Sequence, residues 1–396
     1  MTPSDTNDKP VVAILTIDDE IQLFRGNRQN FADLLLTGER LGFITYVVTV
    51  KNLKLRAPRV LGYTYQKDGE IWVKAWFPRP NVVYNRIPQR EDERLPRVKR
   101  KLERLANDPS IRMFNRRFFN KWSLFKWLHD SRTTKSFIPE TKKLTEPAVL
   151  STLLKRHRLL YLKPVRGKAG VGIMTVKVQP EKNLPYRLQI QEEKGSTTFR
   201  CASLRRLWIR IRKQSAVNGQ PYIAQQGIGL ASVKQRPFDL RALVQKNGKG
   251  RWSLTGIAVR QGAPGSVTSN LHGGGHAEEA EPFLRKLYGK AAADILQTVR
   301  DIALRVPEVL ETHHGRLAEL GVDIGVDAEG RVWVLEANSK PGRSSFAALP
   351  DKQASRDAIV NPLLYAKYLL DTRGPYAAPP GSMKSTDAIH DASDAI

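Results

Sequence analysis

The stretch LGVDIGVDAEGRVWVLEANSKPGRSS, residues 320–345, predicts a β-hairpin in the last third of the chain. Apolar residues alternate with polar or small ones over residues 322–327 and again over residues 331–336. This period of two is typical of strands with one buried face. Residues 327–330, Asp-Ala-Glu-Gly, have the composition of a turn, so the two runs form one antiparallel pair.

The register of this hairpin follows from the length of its loop. We expect Val326 to pair with Arg331 across a four-residue loop. Asp323 then lies opposite Val334, and Glu336 lies about 7–8 Å away along the diagonal of the same face. A bulge in the turn would change this register.

Three oxygen-bearing side chains share the polar face of the predicted hairpin. Asp323, Glu336 and Asn338 supply two carboxylates and an amide, and carboxylates this close repel one another unless a cation lies between them. Hard oxygen ligands suit Mg²⁺ or Mn²⁺, so the sequence predicts a divalent metal site. The alternative is an ordinary surface hairpin whose polar residues face water.

Length and composition indicate a globular protein of two or three domains. The chain has 396 residues, of which 41% are hydrophobic. Its single cysteine, Cys201, excludes an internal disulfide framework and fits a reducing compartment. The apolar run at residues 11–17 is too short for a signal sequence or a membrane span, so we expect a cytoplasmic protein without a membrane span.

The formal net charge of +26 calls for an anionic partner or an unusually basic surface. Nucleic acid is one explanation, but the basic residues are interleaved with apolar ones and no nucleic-acid-binding signature accompanies them. We therefore favour a polyanionic or phosphorylated ligand or assembly partner over nucleic acid. A basic surface without a specific ligand is the third possibility.

The first part of the chain predicts a small α/β domain. Two buried strands at residues 11–17 and 43–50 flank a helical pattern at residues 30–41, as in a βαβ unit. The glycines after the first strand do not form a dinucleotide-binding fingerprint. Further strands are predicted at 70–77 and 81–84, and helices over 90–130.

A glycine-rich segment at residues 159–178 predicts a second hairpin. β-Branched residues follow its glycines, so the loop does not open a helix as a P-loop does. Backbone N–H groups of such a flap can cover phosphate oxygens, assisted by positive charge, although a surface hairpin without a ligand has the same pattern. The residues concerned are Lys163, Arg166, Gly167, Lys168, Gly170 and Gly172.

The central strands add further candidates. The strand at residues 221–226 ends in Gln225 and Gln226, whose backbone could pair with an adenine edge, although a plain core strand is the simpler interpretation. Arg241 lies in an alternating strand, where it either grips a transferring phosphoryl group or forms a structural pair with Asp239 or a glutamate.

The remaining features lie in loops and in the last helices. The loop at residues 269–276 could close over a ligand; its His272 and His276 could act as a base or a metal ligand, or have no role. Residues 281–311 predict a helix broken at Pro307, and residues 357–370 a closing amphipathic helix.

Taken in order, these segments resemble the ATP-grasp superfamily. The segments FNKWSLFKWL, IPET, YLKPVRGKAGVGI, FDLRALVQ and EANSKPG are most similar to the YheC/YheD group of endospore coat-associated ATP-grasp proteins. The resemblance covers roughly residues 10–372. It implies an α/β (α+β) fold in which a Rossmann-like pre-ATP-grasp domain precedes two subdomains that enclose a nucleotide.

The resemblance also implies a domain organisation. The expected parts are a disordered start at 1–10, a pre-ATP-grasp domain at 11–110 and an ATP-grasp amino-terminal subdomain with a glycine-rich lid at 111–225. A carboxyl-terminal subdomain with the metal site follows at 226–372, and a disordered tail at 373–396.

The resemblance further implies roles for individual residues. ATP would be bound through its phosphates by two lysines and the lid, and at its adenine by residues 225–228, with Mg²⁺ or Mn²⁺ at the hairpin site. No acidic residue follows the hinge to contact the ribose, which departs from the family pattern. The resemblance assigns contacts with the phosphates and the adenine to Lys121, Lys163, the lid residues, Gln225, Gln226 and Ile228. It assigns catalytic roles to Arg241, Asn270, His272 and Arg343.

Two functions are consistent with these features. The first is an ATP-dependent ligase that joins a small carboxylate to an amine through an acyl phosphate, in spore-coat or cell-envelope biosynthesis. The second is a spore coat structural protein that keeps the fold, with or without ATP binding. The intact Asp323, Glu336, Asn338 and Lys163 favour the enzyme, because a scaffold has no physical need for clustered carboxylates.

Overall fold

Three six-stranded β-sheets, each covered by helices, make up the part of the chain that the structure describes. The structure is a computed structural model, and it describes residues 9–166, 172–192, 195–234, 236–262, 276–350 and 352–372. The segments predicted to be disordered, 1–10 and 373–396, lie outside these ranges apart from Lys9 and Pro10. Among the described helices, none is both long and apolar enough to cross a membrane.

The first sheet is built around a parallel βαβ unit, as the apolar runs predicted. Strand β1 pairs in parallel with β2 and β5, and β5 with β6, while β3 and β4 extend the sheet as an antiparallel hairpin. Strands β3 and β6 were not predicted from the sequence. The elements are β1 Val11–Thr16, α1 Arg28–Arg40, β2 Ile44–Thr49, β3 Arg59–Gln66, β4 Ile71–Pro78, β5 Val82–Asn85, α2 Arg90–Arg94, α3 Pro96–Ala106 and β6 Arg112–Phe114.

The second sheet contains the glycine-rich hairpin. Helix α4 leads into it, and its order is β11-β10-β9-β8-β12-β7, with every pair antiparallel. The elements are α4 Lys121–Asp130, β7 Thr141–Lys143, α5 Pro147–Arg156, β8 Leu159–Pro164, β9 Met174–Val178, β10 Tyr186–Gln191, β11 Ser196–Cys201, α6 Leu204–Asn218 and β12 Tyr222–Gln226.

The third sheet carries the carboxylate hairpin, and its core face packs against the long helix α8. Its strands are ordered β16-β15-β14-β17-β18, with β13 paired to β14. The elements are β13 Ser232–Val233, β14 Arg236–Lys246, β15 Trp252–Gln261, β16 His276–Glu279, α7 Ala280–Tyr288, α8 Ala292–His314, β17 Glu319–Val326, β18 Val332–Asn338, α9 Ser344–Ala347 and α10 Gln353–Asp371.

The predicted helix break at Pro307 is wrong. Helix α8 continues through Pro307, whose ring is buried. The interruption lies earlier, where Gly289 follows α7 with a φ of +57°. Glycine adopts positive φ at little cost, so it ends the helix there.

The first sheet is joined to the third by buried contacts. Helix α10 packs against the first domain, where the rings of Phe114 and Tyr365 lie 5.6 Å apart. Asn115 donates a hydrogen bond of 2.9 Å to the carbonyl of Glu319 and accepts one of 2.8 Å from the amide of Ala318. The predicted domain boundaries stay predictions, although β6 lies in the first sheet beyond the boundary placed at residue 110.

Candidate functional site

The hairpin of β17 and β18 places Asp323 directly opposite Glu336. The predicted register is wrong by one residue at the turn, because Val326 pairs with Val332 and not with Arg331. The side chain of Asp327 accepts a hydrogen bond of 2.8 Å from the amide of Arg331, which keeps Arg331 in the turn. Between Ile324 and Asp323 the pairing register then shifts by one residue, because β18 contains one extra residue there.

This register brings the two carboxylates closer together than the diagonal arrangement would. Side chains directly opposite each other in an antiparallel pair have Cβ atoms about 4.5–5.5 Å apart. Asn338 lies opposite Gly321, two residues further along β18 from Glu336. The apolar face of the hairpin packs into the core beneath α8, so the three oxygen-bearing side chains lie on the other face.

Two arginines hold Asp323. Arg241 Nη2 and Arg260 Nη2 each lie 3.0 Å from Asp323 Oδ2, and Arg241 Nε donates to Oδ1. Burial alone would raise the pKa of Asp323, but these guanidinium groups keep it below its ordinary value. The carboxylate is therefore ionised at neutral pH although it is only 7% exposed.

The structural alternative for Arg241, a pair with Asp239, is not what the structure contains. Asp239 pairs instead with Arg260 on the neighbouring strand, at 2.7 and 2.6 Å. The strand register explains these two pairings. Arg241 lies opposite Asp323 of β17, and Asp239 lies opposite Arg260 of β15. Arg260 was not singled out from the sequence, since nothing marked its strand as the neighbour of the carboxylates.

Glu336 is held by a lysine of helix α4. Lys121 Nζ donates a hydrogen bond to Glu336 Oε1. Lys121 is the first residue of α4, and the side chain of Asn120 caps that helix by accepting from the amides of Trp122 and Ser123 at 2.8 and 3.3 Å. This cap sets the first residue of the helix and therefore the position from which the Lys121 side chain extends.

Lys163 lies on β8 beside the same group of charges. Its Nζ donates to Gln225 Oε1 at 2.6 Å and lies 5.7 Å from the centre of the Tyr161 ring. Burial, together with the positive charge of Lys121, lowers the pKa of Lys163 to about 8, while Glu336 and Asp323 act in the opposite direction. Lys163 is thus electrostatically coupled to both carboxylates.

The segment proposed to contact adenine crosses from the second sheet to the third. Gln226 is the last residue of β12, Ile228 is half-buried, and Leu230 bridges to Asp327 at the hairpin turn. The Gln225 side chain connects Lys163 with Thr141, donating to Thr141 Oγ1 at 2.9 Å. The segment therefore connects the second sheet with the third, and its contact with adenine stays a prediction.

Several predicted site residues lie outside the described part of the chain. They are Gly167, Lys168, Gly170, Asn270 and His272. At the edges of the lid, Arg166 donates its amide proton to Gln220 Oε1 at 3.0 Å, and the amide of Gly172 donates to Gln191 at 3.0 Å.

Arg343 and Lys340, which follow the hairpin, contact the amino-terminal domain. Arg343 donates to Glu319 Oε2 at 2.9 Å and to Asn30 Oδ1 at 2.6 Å. Lys340 donates to Glu93, and both of these side chains are almost fully buried. The catalytic role of Arg343 stays a prediction, and Arg343 would have to break these contacts to bind a substrate.

A family model described as YheC/D-like ATP-grasp matches residues 110–369, which include the two lysines, the arginines and the carboxylate hairpin. The chain belongs to this family. Relatives that match most of this chain support the YheC/D-like assignment. Endospore coat-associated protein YheD of Bacillus subtilis (strain 168) is 29% identical over 344 residues, which cover 85% of this chain and 74% of YheD.

Solved structures show that the fold is that of ATP-grasp ligases. D-Cycloserine synthetase DcsG is similar with a TM-score of 0.52 at 15% identity, covering 91% of this chain and 99% of that chain. ATP-grasp ligase PsnB, complexed with a minimal precursor, has a TM-score of 0.51 at 15% identity, covering 89% of this chain and 99% of that chain. The predicted α/β ATP-grasp fold is thereby confirmed.

The donor set of this YheC/D-like site fits a divalent cation bound together with phosphates. Among the described residues, no group of three or more His, Cys, Asp or Glu side chains could hold a metal ion by itself. Mg²⁺ does not need such a cage, because it commonly takes one or two carboxylates and completes its shell with phosphate oxygens and water. Asp323, Glu336 and Asn338 supply hard oxygen donors of this kind.

Arg90 is a further cation near this site, and the sequence did not indicate it. Burial lowers the pKa of Arg90, and the negative charge of Glu336 acts against that effect. Arg90 donates to the carbonyl of Phe119 and lies over the ring of Phe118 at 5.3 Å. The first domain therefore contributes positive charge near the carboxylate hairpin, and no local sequence signal identified it.

Proposed function

We propose that the protein is an ATP- and Mg²⁺-dependent ligase that joins a carboxylate to an amine through an acyl phosphate. One observation supports this most directly. Lys121 of α4 and Lys163 of β8 in the second sheet converge on Asp323 and Glu336 of the third sheet, with Arg241 and Arg260 alongside. Such a cluster offers cations for phosphate groups next to oxygen donors for a metal ion.

Each side chain has a distinct part in this proposal. Lys121 and Lys163 bind the phosphates of ATP, and Gln225 holds the Lys163 amine in place. Mg²⁺, when bound by Asp323, Glu336 and Asn338, would neutralise charge on the phosphate oxygens. Arg241 offers its remaining N–H groups to the phosphoryl group as charge develops on it, which is the main need of such a transfer.

The proposed reaction consists of two substitutions. A substrate carboxylate oxygen attacks the γ-phosphorus, and ADP leaves with the electrons of the broken P–O bond. An amine attacks the acyl carbon, inorganic phosphate leaves, and the amine loses a proton to water or phosphate. Neither step requires a nucleophilic residue of the protein, since both nucleophiles belong to substrates.

Substrate class and location are the finer parts of the proposal. PsnB is named as a ligase complexed with a precursor, DcsG is a D-cycloserine synthetase, and YheD is named as endospore coat-associated. These names support small carboxylate, amine or peptide substrates and a role at the spore coat. A cytoplasmic site of action fits the single, buried Cys201.

An isotope experiment tests the acyl phosphate. Pairs of amino acids and small carboxylates are first screened for ADP release in the presence of Mg²⁺. For a productive pair, the carboxylate is labelled with ¹⁸O, and we expect one ¹⁸O atom to appear in the released phosphate. ADP release that does not depend on the carboxylate, or phosphate without the label, would contradict this mechanism. Stabilisation by Mg-ATP without turnover of any pair would favour a nucleotide-binding coat protein.

A further inference from the structure

A second basic cleft lies in the amino-terminal domain, apart from the ATP site. It has a volume of about 640 Å³ and is formed by the end of α3, by the loop before β3 and by the segments that precede β5 and β6. Cavities of roughly 300–1,000 Å³ hold small molecules. The lining residues are Leu55, Arg56, Arg79, Arg100, Glu103, Arg104, Asn107 and Asp108.

The topology separates this cleft from the nucleotide site. Arg79 precedes β5, whereas Arg86 follows β5 and forms an ion pair with Glu319 of the third sheet at 2.6 Å. Strand β5 has four residues and so spans about 13 Å. The residues of the cleft are therefore not part of the ATP-grasp site.

Positive charge in the cleft is only partly neutralised. Arg79 donates to Asp108 at 2.6 Å, and Asp108 also accepts from the amide of Ser110 at 3.0 Å. By contrast, Arg56, Arg100 and Arg104 form no ion pair with any carboxylate of the described residues. Three exposed guanidinium groups thus line one open cleft without an ion pair, and Glu103 is the other carboxylate of its lining besides Asp108.

Two further features favour the binding of an anion in this cleft. Nε of Arg79 is buried and has no hydrogen-bond partner in the described structure, which costs free energy unless an acceptor binds there. Lys101, beside the cleft, has its pKa lowered by burial and by the positive charges of Lys54 and Arg104. A bound anion would supply the acceptor and relieve the repulsion.

We propose that this cleft binds a small anion that carries two or more phosphate groups. Guanidinium groups bind phosphate oxygens in pairs through parallel N–H donors, and several arginines in one cavity suit several phosphates. The site would act independently of the ligase reaction, so it stands whether or not the proposed catalysis is correct. It also gives part of the +26 net charge a specific role.

Isothermal titration with inorganic tripolyphosphate tests the site. All titrations use the full chain carrying Lys163→Ala, so that binding at the ATP site is weakened equally. Arg100→Gln/Arg104→Gln should weaken binding at least about tenfold, which is about 1.4 kcal/mol. Arg205→Gln/Arg206→Gln removes the same charge from exposed positions of α6 and should leave the dissociation constant unchanged.

Further measurements separate a built site from general attraction. Hydrogen exchange should show protection of residues 96–107 when tripolyphosphate binds, and inorganic phosphate should bind more weakly. Equal weakening by the two double variants, no protection of α3, or unchanged binding after Arg100→Gln/Arg104→Gln would overturn the proposal. If that variant does not fold, Arg56→Gln in the loop before β3 must weaken binding in the same way.

Discussion

Lys121 donates a hydrogen bond to Glu336 although the two residues are 215 positions apart in the chain. Lys121 is the first residue of helix α4, and Glu336 lies on β18 of the third sheet. Without nucleotide, the lysine and the carboxylate neutralise each other. With Mg-ATP, the lysine would turn to phosphate and the carboxylate to the metal ion, so the pair keeps both groups in position.

Mg-ATP should raise the melting temperature of the wild-type protein. Binding to the folded state alone stabilises it by about 2.7 kcal/mol when the ligand is at a hundred times its dissociation constant. Asp323→Ala or Glu336→Ala should abolish the shift, because each removes an oxygen donor from the candidate metal site. Differential scanning fluorimetry measures this, with Glu329→Gln at an exposed position of the same hairpin as control. An unchanged wild-type melting curve would count heavily against the ligase.

Nucleotide binding should take up a proton near pH 8.5. The pKa of Lys163 is lowered to about 8 in the free protein by burial and by Lys121, and phosphate oxygens beside it would raise that pKa again. Affinity for ATP should therefore fall as pH rises above 8. Calorimetry in two buffers of different ionisation enthalpy measures the uptake, which Lys163→Met should abolish. Equal heats in both buffers would exclude this role.

The same lysine affects stability with a definite sign. Between about pH 8 and its ordinary pKa of 10.5, the unfolded state binds more protons at this position than the folded state does. The contribution of Lys163 to the free energy of unfolding therefore increases with pH across that window. Below pH 8 the folded protein carries the full cost of the buried charge. Urea unfolding at pH 7.5, 8.5 and 9.5 should show a smaller increase in Lys163→Met than in the wild type.

Replacing Glu319 should destabilise the protein strongly. This fully buried carboxylate pairs with Arg86 at 2.6 Å and Arg343 at 2.9 Å. Glu319→Gln leaves two buried guanidinium groups without a negative partner, so we expect a loss of about 3–5 kcal/mol. Urea unfolding measures it, and Glu281→Gln in an exposed pair should change stability by no more than about 0.5 kcal/mol. A similar small change for both variants would show that Glu319 is not essential to this interface.

Arg241→Lys should reduce the turnover of the ligase more than it reduces stability. Lysine keeps the positive charge but not the two parallel donors that arginine directs at Asp323 and, in our proposal, at the phosphoryl group. We expect kcat to fall about 10²–10³-fold. Arg285→Lys, in an exposed helical pair, is the control. Normal kcat in Arg241→Lys would remove Arg241 from the phosphoryl-transfer step.

How far the sequence predicts this site can be judged from particular residues. The alternation around Asp323 correctly predicted a hairpin with its carboxylates on one face, since period-two patterning is local. The register was wrong because Asp327 organises a longer turn through its side chain. Similarly, α8 runs through Pro307, whereas local propensity placed a break there. A period-two pattern specifies the face on which a side chain lies but not its hydrogen bonds to the backbone, so it could not give the register.

The amino-acid sequence by itself determined the strands and helices with strong periodicity, the family and the candidate ligands Asp323, Glu336 and Asn338. Only the tertiary structure decided which charges meet: Lys121 with Glu336, Arg260 with both Asp239 and Asp323, and Glu319 with Arg86 and Arg343. Periodicity is a property of neighbouring residues and can be read along the chain. Pairing of buried charges depends on sheet order and on packing between sheets, which bring together residues from 21 to 233 positions apart.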